Sequence, residues 1–223
     1  MPAACCFPIA ADMTLEQAAV VEPLSIGVYA VRQSIAMQGA RVGVLGCGPI
    51  GLSVMLSALH EGAGTVYVTD KIEARLDVAR RAGAAWTGNP DAMDVVGEIR
   101  EQQPELLDVV FDCCGQQEAL DQAVALLKPG GKLMAVGIPT TERVSFEPDA
   151  MRRKELTIQN VRRQNGCMQA ALDMVERGDV NVDFMITHRF PFSAAKEAFD
   201  IVSAYADGVV KAMIYPDEAA TLH

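Results

Sequence analysis

Short, continuous apolar runs recur along the chain, and between them lie stretches in which apolar residues return every three or four positions. The runs at 42–45 (VGVL), 65–69 (TVYVT), 106–112 (LLDVVFD) and 132–138 (KLMAVGI) have the length and continuity of strands buried on both faces, with 84–87 a marginal fifth. Helical spacing marks 52–63, 72–83, 91–103 and 116–128; the second is expected to stop at Gly83, the third before Pro104 and the fourth at Pro129-Gly130-Gly131. Ahead of them, Thr14-Leu15-Glu16-Gln17 has the spacing of a capping box and predicts a helix running towards Glu22-Pro23. Residues 24–35 resume helical spacing, with a break around Gly39.

Strictly alternating strands and helices of this kind predict an α/β fold with a doubly wound, mostly parallel sheet. Past Pro139 the rhythm changes. A short helix over 146–155, a β-like 156–161, a helix ending near Gly178, an extended 186–192, a helix capped by Ser193 and a last strand over 209–216 follow. The main sheet is therefore expected to end near Val161, leaving about 60 residues, too few for a second domain with a good core of its own.

The first strand runs into Gly46-Cys47-Gly48-Pro49-Ile50-Gly51 and then straight into a helix, the setting in which GxGxxG signals a dinucleotide. Gly46 allows the tight turn, Gly48 lets a diphosphate approach the backbone, and Gly51 lets the helix lie close to the strand, with the phosphates at the helix N-terminus. The second strand ends in Asp70, about 20 residues past the last glycine, where a ribose 2′-hydroxyl requires a carboxylate.

Composition narrows the partners. A net charge of −10 and the lack of a basic cluster argue against nucleic acid. No apolar run reaches the length of a membrane span, and the first residues lack a basic n-region, so neither a membrane protein nor a signal peptide is expected. Six cysteines without a CxxC make a poor disulfide framework and point to reduced thiols in a cytoplasmic protein. Of the three histidines, His60-Glu61 closes a helix where a histidine suits the dipole, His188 reads as a packing or surface residue, and His223 is terminal. Cys113-Cys114 reads as a buried strand end rather than a redox pair. Glu22 sits within AAVVEPLSI: either it is an exposed helix-face carboxylate, or it is held at a cost unless a metal or other partner meets it.

VVEPLSIGVYA, GCGPIGL, the Thr69-Asp70 pair followed by Arg75, DCCG, LKPGGKLMAVG and ITHRFPFSAAKEAFD together resemble the cofactor-binding half of the zinc-dependent medium-chain dehydrogenase/reductase superfamily. The pattern resembles in particular its polyol branch, that of the sorbitol (L-iditol) dehydrogenases, and threonine and butanediol dehydrogenases share much of it. The resemblance implies hydride transfer from a polyol or other secondary alcohol to NAD. It places Gly46, Gly48, Pro49, Ile50, Gly51, Asp70, Lys71, Arg75, Cys114, Val136, Gly137, Ile138 and Arg162 around the cofactor, and Glu22 near the family's zinc. It divides the chain into 1–23, a remnant of the catalytic domain; 24–162, the NAD-binding Rossmann domain; and 163–223, a segment that packs on the catalytic domain.

The family's catalytic domain, with its zinc-binding cysteine and His-Glu pair, has no counterpart in this sequence, and Arg163 stands where animal sorbitol dehydrogenases often carry tyrosine. The resemblance thus implies a chain that binds NAD, carries no complete zinc site and is inactive alone. It also implies a homo-oligomer, through exposed apolar surface and the edge strand 156–161. A non-catalytic NAD(H)-binding module acting through a partner fits the same residues. A methyltransferase shares the acid after the second strand, but GxGPIG and THRFP speak against it.

Overall fold

The computed structural model describes residues 2–216; His223 lies outside the described residues. Helix α1 spans Leu15–Arg32 and opens on the expected capping box. Thr14 Oγ1 accepts from the Gln17 amide at 3.1 Å, and Gln17 Oε1 accepts from the Thr14 amide at 3.0 Å. The helix does not stop at Pro23, where the resemblance divides the chain; Pro23 is buried within it. Its ring removes one helical N–H, and packing compensates. A methyl group on Gly27 would overlap the Ser53 carbonyl, so α1 crosses the next helix almost backbone to backbone.

There follow β1 (Arg41–Leu45), α2 (Pro49–His60), β2 (Thr65–Thr69), α3 (Glu73–Arg81), β3 (Trp86–Gly88), α4 (Val95–Gln102), β4 (Leu107–Asp112), α5 (Gln117–Leu126) and β5 (Leu127–Ala135). Helix α4 begins later than its spacing suggests because Asp94 caps it, accepting from the Gly97 amide at 3.1 Å. Helix α5 ends two residues before Lys128 and passes directly into β5. The Lys154 ammonium reaches back to donate to the Val124, Ala125 and Leu127 carbonyls at that junction. Helix α6 (Pro148–Lys154) and β6 (Thr157–Asn160) complete a six-stranded sheet of order β3-β2-β1-β4-β5-β6, parallel at every pairing. This is the doubly wound Rossmann order, and β1 and β4 flank its switch point.

Alternation along the strands serves two apolar layers. Val42, Val44, Val66, Val68, Val109 and Phe111 face α1, α2 and α3, whereas Leu45, Tyr67, Val110 and Leu133 face α4 and α5. The C-terminal segment forms α7 (Met168–Glu176), β7 (Ile186–Pro191), α8 (Ala195–Ser203) and β8 (Lys211–Tyr215), with β7 and β8 a separate parallel pair. Ser193, expected to cap α8, lies instead in the 3-10 turn Phe192–Ala194, and Ala194 occupies the cap position. Ala171, Leu172, Met185 and Val210 join the core layer beneath α1, so this segment shares a core rather than building one. The start of α1 also meets the β7–β8 pair: Glu16 takes a bidentate pair from Arg189 (2.6 and 2.7 Å) and a hydrogen bond from the Tyr215 hydroxyl.

Candidate cofactor site

The site is built where the parallel strands β1, β2, β4, β5 and β6 end together. The Gly46 amide donates to the Thr69 carbonyl (2.7 Å) and the Cys113 amide to the Leu45 carbonyl (2.8 Å), tying the loop after β1 to its neighbours on both sides. Gly46 has φ +90°, a conformation that glycine adopts without strain. A methyl group on Gly51 would overlap the Gly46 carbonyl oxygen, so α2 seats against its own loop. Gly48 differs from both. Its φ of −67° suits any residue, and a methyl group there would meet only Arg75 Nη1, at an ordinary 3.4 Å. Nothing in the folded chain requires glycine at 48. Pro49 takes the first position of α2 and Ile50 the next, where a missing N–H costs the helix nothing.

Asp70 is buried, with 8 % of its surface exposed. Its Oδ2 accepts from the Cys47 amide at 2.7 Å and its Oδ1 from the Ile72 amide at 2.9 Å, which fixes the carboxylate while leaving lone pairs on each oxygen. Lys71 turns to Asp91 at 2.9 Å. Arg75 is buried against the C-terminal segment, where Nε and Nη2 donate to the Val209 carbonyl at 2.9 and 2.7 Å.

Across the switch point, Asp112 shapes the opposite wall, a role its place in DCCG does not betray. Its Oδ1 accepts from the Cys114 and Gly115 amides at 3.0 and 2.9 Å, and its carbonyl accepts from the Val136 and Gly137 amides at 2.9 and 2.8 Å. One buried carboxylate residue therefore holds the loops after β4 and β5 as a unit. Ile138 projects from this unit, 88 % exposed. Arg162 is exposed one residue past Val161, whose amide still bonds to the Ala135 carbonyl at 2.9 Å. The expected residues thus gather along the carboxyl ends of β1, β2, β4, β5 and β6. Glu22 is not among them; it is an exposed residue of α1 and makes no ion pair among the described residues.

The thiols of Cys47, Cys113 and Cys114 are held protonated. Burial and then the Asp70 carboxylate raise Cys47 far above the ordinary thiol value; burial and Asp112 push Cys114 up to about 12 and raise Cys113 well above its usual range. All six cysteines are free. Among the described residues no three His, Cys, Asp or Glu side chains come together to hold a metal ion. Zinc therefore does not fit the residues described, and Glu22 alone offers one exposed donor. Two cavities lie elsewhere: one of about 530 Å³ at the amino ends of the strands, lined by Arg41, Asp108 and Lys128, and one of about 790 Å³ between α2, α3 and residues 179–184. Neither touches the glycine loop.

Known proteins share this fold. The sequence profile described as "Zinc-binding dehydrogenase" matches residues 49–177, more than half of the chain. The chain belongs to the zinc-binding dehydrogenase family. Similar curated members include a sorbitol dehydrogenase of Bacillus subtilis, 27 % identical over 95 % of this chain and 60 % of that protein. A sorbitol dehydrogenase of Arabidopsis thaliana is 34 % identical over 95 % of this chain and 60 % of its own length. Among solved structures, 2R,3R-butanediol dehydrogenase from Bacillus subtilis superimposes with a TM-score of 0.86 at 28 % identity, over 94 % of this chain and 60 % of that one. A structure from Sinorhizobium meliloti bound to NADP gives a TM-score of 0.86 at 31 % identity, over 94 % of this chain and 62 % of that one. The chain thus spans about 60 % of the length of these zinc-binding dehydrogenases. Among the described residues no helix is long and apolar enough to cross a membrane.

Proposed function

We propose that this chain is the NAD(H)-binding part of a zinc-type polyol or secondary-alcohol dehydrogenase of the cytoplasm, and that alone it binds cofactor without oxidising alcohol. Gly48 carries the reading. Gly46 and Gly51 are glycines for the sake of the fold, whereas the absence of a side chain at 48 serves only something that approaches from outside. A diphosphate beside the first turn of α2 is such an approach, met by the free N–H groups of the helix end.

Asp70, held rigid by two amides, accepts a ribose hydroxyl on its remaining lone pairs and repels a 2′-phosphate. Arg75 and Lys71 lie beside it, Cys114 borders the adenine, and Val136, Gly137 and Ile138 present a fixed edge to the nicotinamide, with Arg162 next to them. When bound, the nicotinamide supplies the hydride acceptor. Activation of the alcohol is not assigned to any residue described, because no metal-holding cluster exists among them. The division at 1–23, 24–162 and 163–223 belongs to the same proposal, and α1 runs unbroken through its first boundary.

The test is a fluorescence titration of the purified 223-residue chain with NADH and with NADPH, alongside a polyol-oxidation assay containing zinc and NAD. NADH is expected to bind in the micromolar range, on the order of tenfold or more tighter than NADPH. No turnover is expected. A chain that does not bind NADH overturns the cofactor assignment, preference for NADPH overturns the role of Asp70, and zinc-dependent turnover overturns the proposal that the chain alone binds cofactor without oxidising alcohol.

Strand β6 is the outer strand of the sheet, paired only with β5 among the described residues. An unpaired strand edge templates a second copy. The chain is proposed to form dimers or larger species, and light scattering giving a clean monomer overturns this.

A further inference from the structure

The Arg75 guanidinium is held in a way that its position in α3 does not demand. Nε and Nη2 both donate to the Val209 carbonyl, and the guanidinium carbon lies 5.4 Å from the centre of the Tyr205 ring. Nη1 has no protein acceptor among the described residues, and it points at Gly48, 3.4 Å from where a methyl group would stand. Tyr205, Asp207 and Gly208 have φ of 52°, 52° and 65°, so the segment between α8 and β8 turns tightly through left-handed conformations. Gly208 rests on Ala74, where a methyl group would come within 2.6 Å of its β-carbon. The turn is anchored at its far side as well: Asp207 meets His188 Nε2 at 3.2 Å, and the Val210 amide donates to Thr187 Oγ1 at 3.0 Å.

We propose that the 205–209 turn is a strap that positions Arg75: the Tyr205 ring and the Val209 carbonyl fix the guanidinium against Gly48, so that the C-terminal segment sets the affinity for the dinucleotide. An arginine has many rotamers, and a ligand that must order it loses affinity. With two of its nitrogens occupied and one face on an aromatic ring, Arg75 presents Nη1 already aimed at the glycine edge. Tyr205 is 63 % exposed, which is the expected state of a residue whose work is done by its ring face and not by filling a core.

This inference rests on the glycine loop being a dinucleotide site. The test is NADH titration of the full chain and of the variants Tyr205→Leu, Tyr205→Phe, Arg75→Ala and the Tyr205→Leu/Arg75→Ala pair, with melting midpoints taken in parallel. Tyr205→Leu is expected to weaken NADH binding roughly two- to fivefold and to lower the midpoint by no more than about 4 °C, as loss of an exposed cation–π contact. Tyr205→Phe is expected to bind like the parent, and Tyr205→Leu to add no further loss when Arg75 is already alanine. Binding by Tyr205→Leu equal to the parent, an equal loss in Tyr205→Phe, or the same loss in the Arg75→Ala background each overturns the strap. If Tyr205→Leu does not fold, Tyr205→Met carries the same comparison. Failure of the parent chain to bind NADH is a different result and removes the dinucleotide reading together with the strap.

Discussion

Alanine at Gly51 is expected to cost the chain both stability and NADH binding. The new methyl group would overlap the Gly46 carbonyl oxygen and stand 2.9 Å from its carbon, backbone atoms that cannot rotate aside. Relief requires α2 or the loop to move, and both are pinned. The Gly46 amide is bonded to Thr69, and α2 is pressed on α1 at Ser53 and Gly27. Overpacking against fixed backbone lies at the severe end of core substitutions, about 3 kcal/mol or more. In a chain of this size that lowers the melting midpoint by roughly 6–12 °C. Gly48→Ala is the contrasting variant. Its methyl group fits the folded chain, so its midpoint should match the parent while NADH binding falls. Thermal melts and NADH titrations of the two variants settle the matter. A Gly51→Ala chain as stable as the parent sinks the account of the helix seat, and a Gly48→Ala chain that binds NADH normally sinks the account of the diphosphate approach.

What could be read in advance was local. TVYVT is β2 residue for residue, and Thr14 and Gln17 form the capping box their spacing implies, because continuous apolar runs and cap chemistry act over a few neighbours. The glycine loop, Asp70 and the parallel order belong to one βαβ unit and were legible for the same reason. Pro23 misleads because burial of α1 against α2 outweighs one missing helical hydrogen bond. Ser193 misleads because a 3-10 turn intervenes before α8. Nothing near Arg75 in the sequence announces Val209, 134 positions away, and nothing in DCCG says that Asp112 ties two loops together. Such contacts arise only when distant elements meet. Glu22 shows the converse: its neighbours are apolar, but the face it occupies on α1 is exposed.

At the opposite end of the sheet from the glycine loop, Asp108→Ala is expected to destabilise the chain by about 2–3 kcal/mol at neutral pH. Asp108 joins the starts of three strands. It accepts from the Arg41 amide at 2.7 Å, from Arg41 Nε at 2.9 Å and Nη2 at 3.0 Å, and pairs with the Lys128 ammonium. Its side chain is 14 % exposed and that of Arg41 19 %, so removal of the acid leaves two cations at one place, with the exposed Glu105 beside Arg41. Removing one partner of a fully buried pair costs about 3–5 kcal/mol, and the residual exposure of Arg41 and Lys128 discounts that figure. The hydrogen bonds from Arg41, more than the opposing burial, hold the Asp108 carboxyl well below the usual carboxylate range, with Lys128 adding to them. A carboxyl whose folded value is depressed contributes stability above its unfolded value, about 3.9, and loses it as pH falls through the folded value. The gap between parent and variant is therefore expected to be widest at neutral pH and to narrow progressively below about pH 4. Urea denaturation near neutrality and at about pH 3 reads the difference. An equal gap at both values would mean that Asp108 matters for its shape and its backbone hydrogen bond, and that the charge it shares with Arg41 and Lys128 does not hold the strand starts together.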